Sequence, residues 1–210
     1  MKFIKTLEDI SELQKNRNCV TMGNFDGVHA GHREVIRRVI EKAGQIASKS
    51  VLVTFFPHPL KILAPERAPR LLQPLDDRLD SLSETGIDAV YVVDFTMEFS
   101  RLSPEDFIRD YLVLSLNTRE IFVGGDVLFG RSRSGNIETL KENGRKYGFA
   151  VNVVAPVIID GVRVGSSLIR KLVARGEMET TARYLGRDFS IRGVVVRGDA
   201  IGAGLGFPTP

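Results

Sequence analysis

The sequence predicts an α/β fold built on a doubly wound parallel sheet. Three observations predict it. Short β-branched apolar runs alternate with amphipathic segments along most of the chain. A glycine-rich turn joins the first strong strand to the first strong helix. The unusual polar motifs fall just after strand ends, which is where open α/β sheets bind ligands. At 210 residues the chain holds one good α/β domain plus a fragment rather than two full domains.

The elements are taken in order. The opening MKFIKTLEDISELQK alternates charged with apolar residues and lacks the apolar centre of a signal segment. Cys19, Val20, Thr21 and Met22 have the length and branching of a buried strand, and Gly23 and Gly27 punctuate the turn after it. A helix then runs from near Gly31 to about Ile46, with Val35, Ile36, Val39 and Ile40 on one face. Ser50–Phe56 is a second strand, stopped by Pro57 and Pro59. Residues 75–84 read as a helix ended by Gly86, and residues 89–95 as the next strand. Ser103, Pro104 and Asp106 mark a helix start with Ser103 as its cap, continuing to about Leu116. Strand 120–124, helix 137–147 and strand 150–157 come next, and residues 164–170 open a further helix. The pattern changes after Gly186. Residues 190–197 (SIRGVVVR) read as a strand with no helix behind it, succeeded by the glycine-rich GDAIGAGLGFPTP. Residues 1–186 are therefore expected to form the α/β domain, and 187–210 the start of a second, β-type domain.

Composition narrows the function. Hydrophobic content of 43% and charged content of 26% are those of a soluble globular protein. The net charge of +3 is not concentrated in any Lys/Arg block, which argues against a nucleic-acid partner and for small anionic ligands. A single cysteine excludes an internal disulfide framework and suits a reducing compartment. No apolar run approaches the ~18 residues of a membrane span. The expectation is a cytoplasmic protein without membrane contact.

Strand, glycine-rich turn and helix make an anion-binding corner, where backbone N–H groups and the helix dipole face the ligand. Into it the sequence GNFDGVHAGH places His29 and His32 on one face of the opening turn, with Gly31 leaving the backbone approachable. Two imidazoles there suit the handling of a polyphosphate and of charge developed during transfer. A zinc site is the weaker alternative, because Cys19 and His58 complete a poor ligand set. Helix capping is the other. Further along, His58 is fixed between Pro57 and Pro59 at the rim of the sheet. Asp126, Phe129, Arg131 and Arg133 lie in a glycine-rich loop after the fourth strand, and read either as a ligand loop or as a solvated one. Ser166, Ser167 and Arg170 present two hydroxyls and a guanidinium at a helix start, one serine serving as well for a cap.

GNFDGVHAGH resembles the HxGH nucleotidyltransferases of Rossmann-like fold. It is more closely similar to the adenylyltransferase half of bacterial bifunctional riboflavin kinase/FAD synthetases. Thr54–Pro59 is similar to that family's TFxPHP stretch and residues 123–135 to VGxDFxFGKxRxG, with Val127 for Phe and Arg131 for Lys. Residues 165–170 resemble ISSTxxR, with Gly165 for Ser and Ser167 for Thr. The last residues resemble the GxxxGRxLGFPTAN entry to the riboflavin kinase barrel, with Ala203 and Pro210 departing from it. The barrel's remaining strands and its catalytic carboxylate would lie past the end of this sequence, so it reads as a fragment or a C-terminal truncation at the barrel's start.

The resemblance implies adenylyl transfer from ATP to FMN, giving FAD and pyrophosphate, without riboflavin kinase activity from these residues. It implies catalytic roles for His29 and His32. It implies ATP contacts from Gly23, Asn24, Phe25, Asp26, Gly31, Ser166, Ser167 and Arg170, with Asn24 and Asp26 orienting phosphate or metal-bound water. It implies flavin contacts from Phe56, His58, Asp126, Phe129 and Arg131. Mg²⁺ would arrive with ATP, held by substrate oxygens and water rather than by a protein metal site. ATP and FMN are the expected partners, and self-association stays open. A transferase for another phosphorylated acceptor, a nucleotide- or flavin-binding module without turnover, and a non-functional fragment are the alternatives.

Overall fold

Four of the strands are apolar on both faces, which only a sheet covered by helices on both sides can accommodate. The computed structural model, which describes residues 2–4 and 7–194, has that arrangement. A parallel sheet of six strands is formed by β1 (Lys2–Ile4), β2 (Asn18–Met22), β3 (Ser50–Phe56), β4 (Ala89–Asp94), β5 (Thr118–Gly124) and β6 (Ala150–Val154). Their order is β1-β4-β3-β2-β5-β6, every neighbouring pair parallel. Residues 20, 51, 53, 91, 93, 121 and 123 point to one face, where Ile10, Leu112 and Leu140 cover them. Cys19, Leu52, Val90, Val92 and Phe122 point to the other and meet Ile36, Val39 and Leu82. This alternation is the pleat.

The helices account for both layers. α1 (Leu7–Gln14), α5 (Pro104–Phe107) and α6 (Ile137–Tyr147) lie on the first face. α2 (Ala30–Gln45) and α4 (Leu75–Ser83) lie on the second. Ser103 caps α5, its hydroxyl accepting from the Asp106 N–H at 3.0 Å. α6 starts on a capping box from Asn136 and Thr139 and ends on left-handed Gly148. The short α3 (Pro59–Leu63) comes directly after β3, and α7 (Ser166–Arg175) and α8 (Met178–Leu185) close the domain around Ile169, Leu172 and Leu185.

Three expectations need correcting. The helix expected from Pro104 to Leu116 is α-helical only to Phe107, and Ile108–Ser115 is a π-helix in which the Leu116 N–H reaches back five residues to the Tyr111 carbonyl. The wider turn stacks Tyr111 on Phe107 at 5.5 Å. The strand expected over 150–157 stops at Val154, because Pro156 has no N–H for a ladder, and a hairpin of β7 (Ile158–Ile159) and β8 (Val162–Arg163) turns on Asp160-Gly161. Residues 190–194 of the expected strand 190–197 have no regular structure, as no described strand pairs with them. The remainder of that strand, and the resemblance to a barrel entry, lie outside the described residues. Among the described residues no helix is long and apolar enough to cross a membrane.

Candidate active site

From β2 the chain steps outward through β3 to β4, then crosses back to lay β5 on the other side of β2. The connections leaving β2 and β5 therefore diverge, and a crevice opens beyond their carboxyl ends. It is a cleft of about 920 Å³ floored by Met22–Asp26 and walled by the starts of α2 and α7.

His29 and His32 form its first wall. His29 is the N-cap of α2, and its Nδ1 accepts the His32 backbone N–H at 3.3 Å. The capping alternative therefore holds alongside the cleft position. With Nδ1 accepting, the neutral ring carries its proton on Nε2 as a free donor. The two imidazoles stack at 3.6 Å with 17° between planes, and Phe25 backs His32 at 5.0 Å. Gly31 is what admits this stack: a Cβ there would lie 3.2 Å from Nδ1 and Cε1 of His29. Burial pushes the His29 pKa down to about 4, and the Arg170 charge acts in the same direction. Burial, then His29 and Arg78, hold His32 well below the ordinary imidazole range. Both are neutral N–H donors at pH 7, not cations.

The opposite wall is the start of α7. Its N-cap is Gly165 with no side-chain cap, so neither serine serves as the cap. Ser166 instead donates from Oγ to the Asp26 carbonyl at 2.9 Å, while Ser167 is exposed and 3.4 Å from Nη1 of Arg170. Arg170 donates from Nη2 to Asp26 Oδ2 at 2.9 Å. Asp26 is only 2% exposed, and its carboxylate also accepts the Leu72 and Gln73 N–H groups, at 2.9 and 3.3 Å. The side chain expected to orient phosphate or metal-bound water is thus occupied by protein donors. Gly23 and Asn24 complete the floor.

At the far side, His58 caps α3 through Nδ1, which accepts the Leu60 N–H at 3.2 Å, and its Nε2 meets the Asn24 amide at 3.3 Å. Burial lowers its pKa as well. Asp126 reaches the cleft and pairs with Arg163 at 2.6 Å. The other expected flavin-side residues are distributed differently. Phe129 is a core residue, 9% exposed and packed on Phe107 at 5.7 Å, because Gly135 crosses directly beneath its ring. It has no free face to stack on a ligand. Phe56 points away from the cleft and is 41% exposed, since the pleat gives the inward position to Phe55. Arg131 lines a second, smaller cavity of about 360 Å³ with Phe95, Phe99 and Leu63, and Arg133 borders both cavities.

Sequence reasoning overlooked Arg78. It is 2% exposed and donates to the Asn24 carbonyl at 2.5 Å and the Phe55 carbonyl at 3.5 Å, so it ties the turn after β2 to the end of β3. The signal was present in LDDRLDSL, where Arg78 falls on the same helical face as Leu75 and Leu82. Arg163 was also overlooked, and nothing local marks it.

A parallel sheet reversing at β2, with a histidine pair and two helix starts at the reversal, defines a phosphate-handling domain of the nucleotidyltransferase type. The family model for FAD synthetase matches residues 11–168, and the chain belongs to that family. It is 35% identical over 209 residues to the bifunctional riboflavin kinase/FMN adenylyltransferase of Escherichia coli K12, covering 100% of this chain and 67% of that protein. The Listeria monocytogenes protein of the same name is 35% identical over 207 residues, covering 97% of this chain and 64% of that one. The chain thus spans about two thirds of the length of these relatives. A solved structure from Streptococcus pneumoniae, described as a macrolide-efflux protein, superposes with a TM-score of 0.83 at 28% identity, over 99% of this chain and 66% of that one. Pantothenate synthetase from Thermus thermophilus shares the fold, with a TM-score of 0.52 at 16% identity over 89% of this chain and 80% of that one.

Proposed function

We propose that the chain transfers the adenylyl group of ATP to FMN, giving FAD and pyrophosphate in the cytoplasm. The observation that carries this is the convergence of the stacked His29–His32 pair and the start of α7, with Arg170, on one cleft at the sheet's reversal. An FMN phosphate oxygen attacks the α-phosphorus of ATP in line. The new O–P bond forms as the bond from the α-phosphorus to the bridging oxygen breaks, and its electron pair leaves on pyrophosphate. No covalent enzyme intermediate is needed, so the protein's task is positioning and charge stabilisation by fixed donors.

Neutral His29 and His32 supply N–H donors to the triphosphate, one of them at the α-phosphate. Ser167 and Arg170, with the free N–H groups of α7, hold the phosphates that depart. His58 and Asn24 form the edge of the cleft toward the acceptor. The flavin ring system goes to the second cavity, whose lining of Phe95, Phe99 and Leu63 suits a planar apolar body and which Arg133 joins to the main cleft. Both cleft carboxylates are engaged by arginines, Asp26 by Arg170 and Asp126 by Arg163. That fits a Mg²⁺ carried by triphosphate oxygens and water, with exposed Asp126 placed to add a ligand. When bound, the ion neutralises phosphate charge. Residues 1–186 constitute this transferase domain, and the sequence from 187 onward begins the riboflavin kinase part.

The test is to incubate the purified chain with FMN, ATP and Mg²⁺ and measure FAD and pyrophosphate, with riboflavin replacing FMN in a parallel reaction. FAD and pyrophosphate in equal amounts from FMN alone are expected. A folded chain that binds ATP and forms no FAD would refute the flavin assignment.

A further inference from the structure

Asp26 has more bonds to distant segments than any role in contacting a ligand would require. Oδ1 accepts the N–H groups of Leu72 at 2.9 Å and Gln73 at 3.3 Å. Oδ2 accepts Leu72 at 3.1 Å and the Arg170 guanidinium at 2.9 Å. Both oxygens are thus engaged by three protein donors, the Leu72 N–H being shared between them. Its backbone carbonyl takes the Ser166 hydroxyl at 2.9 Å. With 2% of its surface exposed, no oxygen is left to coordinate a metal or meet a phosphate.

We infer that Asp26 is a positioning residue, fixing Arg170 and the first turn of α7 against the His29–His32 pair. The ligand's identity rests on the adenylyl-transfer reading; the geometry does not. The need for a carboxylate follows from charge. Arg78 and Arg170 are both held near the two histidines. Among the described residues Arg78 has no carboxylate bonded to it, and Nε of each arginine is buried without a partner. Without Asp26, two guanidinium groups would remain beside His58 with the carboxylate that acts on both removed, and Arg170, whose side chain is 22% exposed, is the one free to leave for solvent. The α7 wall would then lose its registration with the α2 wall, although each helix would stay formed.

The experiment is a double-mutant cycle on ATP affinity, read by calorimetry without flavin, across wild type, D26N, R170A and D26N/R170A. D26N keeps an acceptor oxygen for the Leu72 and Gln73 N–H groups and removes the charge that holds Arg170. ATP affinity is expected to fall at least about tenfold in D26N, as for loss of one partner from a buried charge pair, and less than about twofold more when D26N is added to R170A. Additive losses would overturn the inference, because Asp26 would then touch nucleotide or metal directly. So would full ATP affinity in folded D26N. In FAD formation the KM for ATP rises while kcat changes little, whereas a merely structural defect would lower the active fraction and leave KM alone. D26S, which also removes the charge and leaves a hydroxyl oxygen as acceptor, carries the same cycle if D26N does not fold. A crystal structure of whichever variant folds is expected to show Arg170 displaced from its present position. Arg170 unmoved refutes the inference whether or not the chain makes FAD.

Discussion

Replacing Gly31 with alanine separates the stability of the domain from the alignment of its histidines. Gly31 is the second residue of α2, where alanine is favoured over glycine by roughly 0.5–1 kcal/mol through helix propensity. The new Cβ would lie 3.2 Å from two atoms of the His29 ring, a few tenths of an ångström inside ordinary contact. The ring cannot retreat freely, because His32 stacks on it at 3.6 Å and the His32 N–H holds its Nδ1 at 3.3 Å. Tilting it off its rotamer costs about 0.5–1.5 kcal/mol, which offsets the helix gain. G31A should therefore melt within a few degrees of wild type. Catalysis has no such compensation, since a misplacement approaching 1 Å lowers rates on the order of 100-fold. We expect kcat/KM for FAD formation to fall ten- to a hundredfold, read by pyrophosphate release beside a thermal melt of the same sample. Activity within twofold of wild type in the folded variant would refute the claim that this stack sets the geometry of the site.

Three further outcomes are expected from the same geometry. The His29 pKa is lowered from 6.5 to about 4 in the folded chain, so its contribution is complete above pH 6.5 and is lost as pH falls toward 4. At 1.36 kcal/mol per unit this reaches about 3 kcal/mol, and His32 acts in the same direction. Urea midpoints should therefore decline from pH 7 to pH 4, and a flat profile in that window would contradict burial of neutral imidazoles. Phe129→Ala should destabilise by about 3–5 kcal/mol as a core truncation, while Phe129→Leu keeps most stability and the KM for FMN. A stable F129A with a raised KM for FMN would return Phe129 to the ligand. Arg78→Met preserves bulk but removes the guanidinium bonds to the Asn24 and Phe55 carbonyls, leaving Asn24 with the Thr54 hydroxyl at 3.1 Å, so urea titration should show a loss of about 1 kcal/mol; unchanged stability would remove Arg78 as the tie between the turn after β2 and the end of β3.

The sequence made the sheet and most of the first cleft wall legible because their causes are local. Val20 and Val51 sit in short branched runs stopped by Gly23 and Pro57 respectively, and the turn after Met22 leads at once into helix periodicity, so β2, β3 and α2 need no tertiary information. Ser103 announces its helix by capping chemistry that acts within four residues. The packing of Phe129 was hidden for the opposite reason. Whether an aromatic in a glycine-rich loop faces a ligand or the core depends on what crosses behind it, here Gly135 and Phe107. The role of Asp26 was equally hidden, since its partners lie 46 and 144 positions away. The π-helix arises from packing around Tyr111 and Phe107, not from any propensity in IRDYLVLS.

The bonds from Asp26 to Ser166 and Arg170 span 140 and 144 positions. They close nearly the whole domain into one loop, and the entropy of that closure is met only when α7 docks. Strands β2 to β5 can pair and acquire their core before this happens. On the ribosome, then, the nascent chain assembles a sheet with a histidine-bearing wall well before it has a nucleotide site. Ligand-dependent protection should accordingly appear late in synthesis, after α7 emerges, in one step.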